Sequence, residues 1–483
     1  MKQPPLRKLD LREHQLAAYE FAYSKPASLC CMGMGCGKTA TALALADNWG
    51  AQHTLVLCPS TVRPVWRGQV AKHCARDMEL AILDGGSVRK RTERADAACR
   101  SGRPAIIVIN YEAAWREPFR SWCRGRRWDL AVLDESQRVM RKGKISQFTA
   151  QLREVSDRRL CLTGTPLTQD PMTVWAQCRF LDPRVFGDSL ERFLARYENK
   201  YAMPCRKELA RFGALMVSIG AADSPDEFKY PEWRLPSIRH KQEYLDRLAT
   251  LAFRVENAVL NLPPITIEQY TFSLSKRSRR LYEAIQGGHL GEIETGRWPD
   301  MRGSYAITMR LQQITSGWLP DAAGNHIIVD AGKPQCLVDL LDEAGGEPVV
   351  VFARFSTDLS MIRAEAEAMG LRYGEISQRR KDGLSDIGTM PDDLQVVGVQ
   401  EQAGGAGIDL TRARIAIDYS PSWSLQAYDQ KIARIYRPPQ SRPVIVYRLV
   451  AEDTVDEEIY RALEARREVV GMVWDEIEAR TAC

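Results

Sequence analysis

Lys38 and Thr39 end the segment Cys31-Met32-Gly33-Met34-Gly35-Cys36-Gly37-Lys38-Thr39. An apolar run, Ala27-Ser28-Leu29-Cys30-Cys31, precedes it, and the small-residue run Ala40-Thr41-Ala42-Leu43-Ala44-Leu45-Ala46 follows. That order reads as strand, loop, helix. Glycines let the loop turn its N–H groups onto a phosphate, the helix adds the positive end of its dipole, and Lys38 and Thr39 supply an ammonium and a hydroxyl. The segment implies a site for a nucleoside triphosphate and magnesium. The full spacing G-x-x-x-x-G-K-(S/T) asks for glycine at position 32, where this chain has Met32, and a bare G-K-T also occurs in ordinary tight turns.

A second constellation, Asp134-Glu135, follows the apolar run Leu130-Ala131-Val132-Leu133. In a nucleotide motor the first carboxylate holds magnesium through its water, and the second orients and deprotonates the attacking water. Alone, such a pair reads first as a solvated strand end; with a phosphate loop upstream the motor reading gains. A third is Gln430-Lys431-Ile432-Ala433-Arg434-Ile435-Tyr436-Arg437-Pro438-Pro439-Gln440. Arg434 and Arg437 are three apart, which predicts one shared helix face. Upstream, Leu11-Arg12-Glu13-His14-Gln15 opens a helical stretch. The amide of Gln15 has the donor and acceptor needed to bond both edges of adenine.

The elements that must position these residues alternate regularly. Thr54-Leu55-Val56-Leu57-Cys58 ends at Pro59-Ser60-Thr61, with Val65, Trp66 and Val70 at helical spacing beyond. Ala105-Ile106-Ile107-Val108-Ile109 ends at Asn110-Tyr111-Glu112, and Arg159-Leu160-Cys161-Leu162 at Thr163-Gly164-Thr165-Pro166. Continuous apolar strands between helices signal an α/β fold with a parallel sheet covered on both faces, whose ligands gather past the strand ends. The same rhythm returns in Pro348–Phe352, Leu394–Val399, Ala413–Asp418 and Val444–Leu449. Helical spacing is read at Leu281–Ile285, at Tyr305–Ile314, through Tyr244, Leu245, Leu248, Leu251 and Phe253, and in a closing helix over Glu452–Arg480. Leu262-Pro263-Pro264 reads as the linker, because consecutive prolines cannot continue a helix. The expected lobes are 1–261, with a helical insertion near 190–260, and 262–483.

At 483 residues the chain exceeds what one core usually supports. A net charge of +5 with both signs abundant permits a basic groove without demonstrating one. The twelve cysteines form no C-x-x-C pair and read as buried thiols in a reducing compartment. Met1–Gln15 lacks the apolar core of a signal peptide, and no apolar run approaches the roughly 18 residues of a membrane span. A cytoplasmic protein, with no membrane partner, is expected.

In order, LREHQ, MGMGCGKT, VLCPSTVRPVW, VINYE, VLDESQ, LTGTP, VVVFARF, AGGAGIDLT and QKIARIYRPPQ resemble the motifs of the Swi/Snf group of superfamily-two DNA translocases (helicases with a DEAD/DEAH-like core). The resemblance runs from Leu11 to about Glu458. That group's own phosphate loop lacks the first glycine, so Met34-Gly35-Cys36-Gly37-Lys38-Thr39 fits it. The resemblance implies two RecA-like lobes of the P-loop class, ATP and Mg2+ as cofactors, and double-stranded DNA, plain or as forks or junctions, as partner. It implies adenine contacts from Gln15 and Arg12 and phosphate contacts from Lys38. Magnesium falls to Thr39 and Asp134, and water activation to Glu135. Gly407 and Asp409 are placed on the nucleotide, and Arg434 and Arg437 as arginine fingers on the γ-phosphate. Ser60, Thr61, Asn110, Gly164, Thr165, Gly404, Gly405 and Thr411 are placed along DNA. Gln137 stands where the group usually has histidine, Pro439 where it has glycine, and Gln400 where it has a hydroxyl residue. The motor fills the chain, which favours a compact bacterial or phage motor for remodelling, branch migration, replication or repair. The alternatives are a strand-separating DNA or RNA helicase and a nonhydrolysing ATP-gated DNA clamp.

Overall fold

The computed structural model describes residues 11–33, 35–60, 62–139, 142–164, 171–198, 238–255, 260–287, 304–321, 323–385, 388–401 and 408–481. Backbone contacts divide the chain into one unit of Met1–Val259 with Ala465–Cys483 and a second of Leu260–Glu464. The division expected from the sequence lies between 261 and 262, with the whole tail in the second lobe. Most of the insertion expected near 190–260 lies outside the described residues.

The first unit carries β1 (Ala27–Met32), β2 (His53–Cys58), β3 (Glu79–Ile82), β4 (Ala105–Asn110), β5 (Trp128–Asp134), β6 (Ser156–Thr163) and β7 (Ala252–Val255). They form one sheet in the order β3-β4-β2-β5-β6-β1-β7, and every pairing is parallel. The apolar runs are the inner strands. Leu55, Leu57, Ile107, Ile109, Ala131 and Leu133 pack into one core with Phe119, Trp128 and Trp175. The residues between them, Val56, Val108 and Val132, are equally buried on the opposite face. A parallel sheet covered on both faces needs such uninterrupted apolar strands, and each buried aliphatic side chain stabilises it by about 1.5–3 kcal/mol.

Helices α1 (Glu13–Tyr23), α2 (Lys38–Asn48) and α3 (Arg63–His73) carry or flank the chemistry-bearing residues. Leu251 and Phe253, read at helical spacing with Tyr244, are not helical. The helix Lys241–Ala249 stops first, and Phe253 lies in β7, which extends the sheet beside β1.

The second unit holds β8 (Ile265–Phe272), β9 (Trp318–Pro320), β10 (His326–Ile328), β11 (Val349–Ala353), β12 (Tyr373–Ile376), β13 (Val396–Gln400), β14 (Ile415–Asp418) and β15 (Val444–Ala451). Six of these make a second parallel sheet, β12-β13-β11-β14-β15-β8, and β9 and β10 form a separate antiparallel pair. Val349, Val351 and Ala353 face one core and Val350 and Phe352 the other. Among the described residues, Lys333–Asp456 at 2.7 Å and Lys431–Asp418 at 2.6 Å are buried ion pairs. No described helix is long and apolar enough to cross a membrane.

Candidate nucleotide site

The phosphate loop leaves β1 at Met32 and enters α2 at Lys38. Gly35 and Gly37 have φ of 83° and 85°, the left-handed region open to glycine at no steric cost. Gly37 has a second constraint: a Cβ there would stand 2.0 Å from Gln15 Nε2. That amide donates to the Cys36 carbonyl at 3.0 Å, while Gln15 Oε1 accepts from the Arg12 backbone N–H at 3.0 Å. Gln15, expected to read adenine, therefore ties the start of α1 to the loop with both ends of its amide. His14 Nε2 meets the same Cys36 carbonyl at 3.1 Å. Lys38 Nζ donates to the Met32 and Gly33 carbonyls at 2.9 and 3.3 Å, and Thr39 is half-buried beside it at the start of α2.

Asp134 is the last residue of β5. Its Oδ1 accepts from the Glu135 N–H at 3.1 Å and its Oδ2 from the indole N–H of Trp66 at 3.0 Å. Burial raises the carboxyl's proton affinity, and the adjacent Glu135 charge adds to the rise; Lys38 and the Trp66 hydrogen bond oppose it. Glu135 has φ 50° and ψ 52°, a left-handed conformation that costs a side-chain-bearing residue on the order of 1–2 kcal/mol and clusters at functional sites. Two adjacent buried carboxylates with a lysine close enough to shift one of them form a donor set suited to a hard divalent cation. Among the described residues no cluster of three or more His, Cys, Asp or Glu could hold a metal. Thr39 and Asp134 fit the sparse protein share of a site whose remaining ligands are phosphate and water.

Three of the groups expected along DNA lie at or just past the ends of β2, β4 and β6. Ser60 is exposed in the turn after β2. Asn110 ends β4, where its Oδ1 accepts from Arg91 at 3.2 Å and its Nδ2 donates to Glu112 at 2.9 Å; Glu112 also pairs with Arg138 at 3.1 Å. Gly164 follows β6. In the second unit, Thr411 donates its hydroxyl to Asp409 at 2.6 Å, so a residue expected on DNA and one expected on nucleotide are joined. Met34, Thr61, Thr165, Gly404, Gly405 and Gly407 lie outside the described residues.

One expectation is corrected. Arg434 and Arg437 do not share a helix face: the helix Leu425–Ile435 ends before Arg437, and Tyr436 has ψ of 77°. The chain has already left the helix at Tyr436, and Pro438 disfavours helical backbone at Arg437, the residue before it. Arg434 is 7% exposed, and burial lowers its proton affinity to about 10, leaving it cationic at neutral pH. Arg437 lies 3.7 Å from Asp409. Gln440 acts as a staple, donating to the Thr411, Ala413 and Ile435 carbonyls at 3.0–3.2 Å. Sequence spacing gave no sign of the Trp66 contact with Asp134, which bridges 68 positions.

Two parallel α/β sheets in tandem, with a phosphate loop after β1 and an acidic pair after β5, define a helicase-like ATPase architecture. Residues 14–316 match the SNF2-related domain and residues 332–439 the helicase conserved C-terminal domain. The chain belongs to the SNF2-related family. It is 24% identical, over 90% of its length, to the mouse SWI/SNF-related matrix-associated actin-dependent regulator of chromatin subfamily A member 1, covering 40% of that protein. With DNA repair protein rhp54 of Schizosaccharomyces pombe it shares 22% identity, over 97% of this chain and 59% of the relative. Putative protein p41 of Acyrthosiphon pisum secondary endosymbiont phage 1 is 24% identical over 93% of this chain and 94% of its own. The chain thus spans about two fifths of the length of the mouse relative. Among solved structures, the Sulfolobus solfataricus SWI2/SNF2 ATPase core in complex with dsDNA aligns over 97% of this chain and 94% of that one, at 20% identity and a TM-score of 0.42.

Proposed function

We propose that this chain is an ATP-dependent motor that moves along double-stranded DNA, in the cytoplasm of a bacterial or phage-infected cell. The observation that carries the reading is the acidic pair Asp134–Glu135 at the end of β5, with Asp134 within electrostatic reach of Lys38 in a glycine-shaped phosphate loop. Lys38 binds the β- and γ-phosphates, and Glu135 orients and deprotonates the attacking water. Thr39 and Asp134 would hold Mg2+, which when bound neutralises phosphate charge. Arg434 and Arg437 stabilise charge on the equatorial oxygens in the transition state. Ser60, Asn110 and Gly164 offer hydroxyl, amide and backbone groups, which hold phosphates without reading sequence.

The test is ATP turnover with duplex DNA, single-stranded DNA and RNA. Duplex is expected to stimulate most, with affinity falling steeply as salt rises; turnover indifferent to duplex overturns the reading. Displacement of a triplex-forming strand without duplex unwinding separates translocation from strand separation.

A further inference from the structure

We propose that Trp66 is a positioning residue of the phosphoryl-transfer site, which transmits the placement of the DNA-side turn after β2 to the carboxylate of Asp134. This rests on the motor reading above. Most buried tryptophans need no such role: the ring fills a core and the N–H finds some acceptor. Trp128 and Trp175 follow that pattern and donate to the carbonyls of Cys123 and Gly187. Trp122 and Trp318 meet carboxylates, Asp96 and Asp358, but neither acceptor belongs to the acidic pair. Trp66, 1% exposed, gives its N–H to Asp134 Oδ2 at 3.0 Å.

The two oxygens of Asp134 differ in what holds them. Oδ1 takes the N–H of the next residue, a contact that travels with the strand end. Oδ2 is held by a side chain of α3. The orientation of the carboxylate therefore follows α3. Partners of this kind, one shell out from a metal ligand, fix the ligand's orientation.

The start of α3 is in turn one piece with the turn that bears Ser60. The Val62 N–H donates to the Pro59 carbonyl and the Val65 N–H to that of Val62, both at 3.0 Å. Arg63 Nε donates to the Ser60 carbonyl at 3.2 Å, and its Nη1 donates to the Leu83 carbonyl at 2.6 Å. Pro64 adds a fixed φ within the first helical turn. A phosphate that draws on the Ser60 turn thus moves the helix start, and with it the Trp66 indole three residues beyond Arg63. Glu135 has a separate tether, Gln137 Nε2 to Oε2 at 2.6 Å. Each carboxylate of the pair is thereby addressed by a different side chain, and Trp66 serves the one expected to hold magnesium.

The experiment replaces Trp66 with β-(3-benzothienyl)alanine, which keeps the ring shape and removes the N–H, alongside Trp66→Phe and Trp66→His, the last retaining a ring N–H. Two readouts are taken: Mn2+ binding by electron paramagnetic resonance with a nonhydrolysable ATP analogue, without turnover, and the ratio of duplex-stimulated to unstimulated ATPase. Loss of the N–H is expected to weaken Mn2+ binding about tenfold or more and to lower the stimulation ratio, with Trp66→His closer to the parent than Trp66→Phe. Because the benzothienyl protein keeps the packing, it decides the matter even if the other two variants misfold. Parent-like Mn2+ binding in that protein overturns the proposal, as does weakened Mn2+ binding with an unchanged stimulation ratio. A parent protein that duplex fails to stimulate sinks the motor reading instead, while the Mn2+ arm still judges the Trp66–Asp134 link.

Discussion

Gln137 Nε2 donates to Glu135 Oε2 at 2.6 Å, and both side chains are nearly inaccessible to solvent. The bond occupies one oxygen of the carboxylate and fixes its orientation, and a hydrogen bond to a charged group is worth about 1.5–3 kcal/mol. Gln137 thus holds the carboxylate in one orientation, and re-aiming Oε2 at the attacking water requires that this bond be released. Gln137→Ala is therefore expected to raise DNA-independent ATP turnover several-fold while lowering the ratio by which duplex stimulates it. Glu135→Gln is expected to retain ATP binding and lose hydrolysis. Steady-state turnover with and without duplex, beside equilibrium binding of labelled ATP, reads both. Near-normal turnover in Glu135→Gln would show that another group activates the water.

Gly37 is constrained twice, by a φ of 85° and by the Gln15 amide 2.0 Å from where a Cβ would stand. Gly37→Ala is expected to weaken ATP binding by at least tenfold and to destabilise the first unit by about 1 kcal/mol or more. Gln15→Ala in the same chain removes the clash and leaves the backbone penalty. Partial recovery of ATP affinity in the double variant, measured by titration, apportions the two. No recovery at all would assign the whole loss to the left-handed backbone.

Much of this arrangement is legible in the sequence because central parallel strands must be apolar on both faces. β11 and the segments Leu55–Cys58 of β2, Ala105–Ile109 of β4 and Leu130–Leu133 of β5 appear as unbroken apolar runs for that reason. Strands with half-exposed positions do not: β3, Glu-Leu-Ala-Ile, and β12, Tyr-Gly-Glu-Ile, are short and partly polar, and β8 exposes most of its length at the sheet edge. β7 carries too few residues to reveal a period of two, so Phe253 reads as a continuation of the preceding helix. Loop chemistry at Lys38, Asp134 and Glu135 is legible because phosphate and metal binding demand particular residue types in short segments. Contacts between distant segments are not. Lys333 and Asp456 pair across 123 positions and Trp66 and Asp134 across 68, and no local pattern encodes such separations.

Arg434 and Arg437 differ in setting, which separates their expected phenotypes. Arg434 is buried in the helix Leu425–Ile435, with the charge of Glu401 acting to keep it protonated. Arg437 lies beyond the helix end, 3.7 Å from Asp409. Arg434→Ala is expected to cut turnover on the order of a thousandfold with ATP affinity held, and Arg434→Lys to restore little, since an ammonium lacks the planar fork. Arg437→Ala is expected to cut turnover less, because part of that guanidinium's charge is engaged by Asp409. Single-turnover rates at saturating ATP, with melting temperature as a control for folding, check the order; equal losses in the two alanine variants would contradict it.

Asp358 supplies a pH-dependent contribution to the stability of the second unit. Its Oδ1 accepts from the Trp318 indole at 2.7 Å and its Oδ2 from the Ser420 hydroxyl at 2.5 Å. Both bonds favour the ionised form, yet burial outweighs them and raises the pKa from 3.8 to about 6. The folded state therefore holds this proton more tightly than the unfolded chain does. The contribution is fully present below pH 3.8 and is lost as pH rises through about 6. Asp358→Asn cannot ionise, so the parent's stability relative to this variant is expected to fall by on the order of 1 kcal/mol between about pH 5 and 7.5. Paired urea unfolding curves across that range measure the difference. A gap that stayed constant with pH would mean that Asp358 is already ionised at pH 5, with its two hydrogen bonds outweighing its burial.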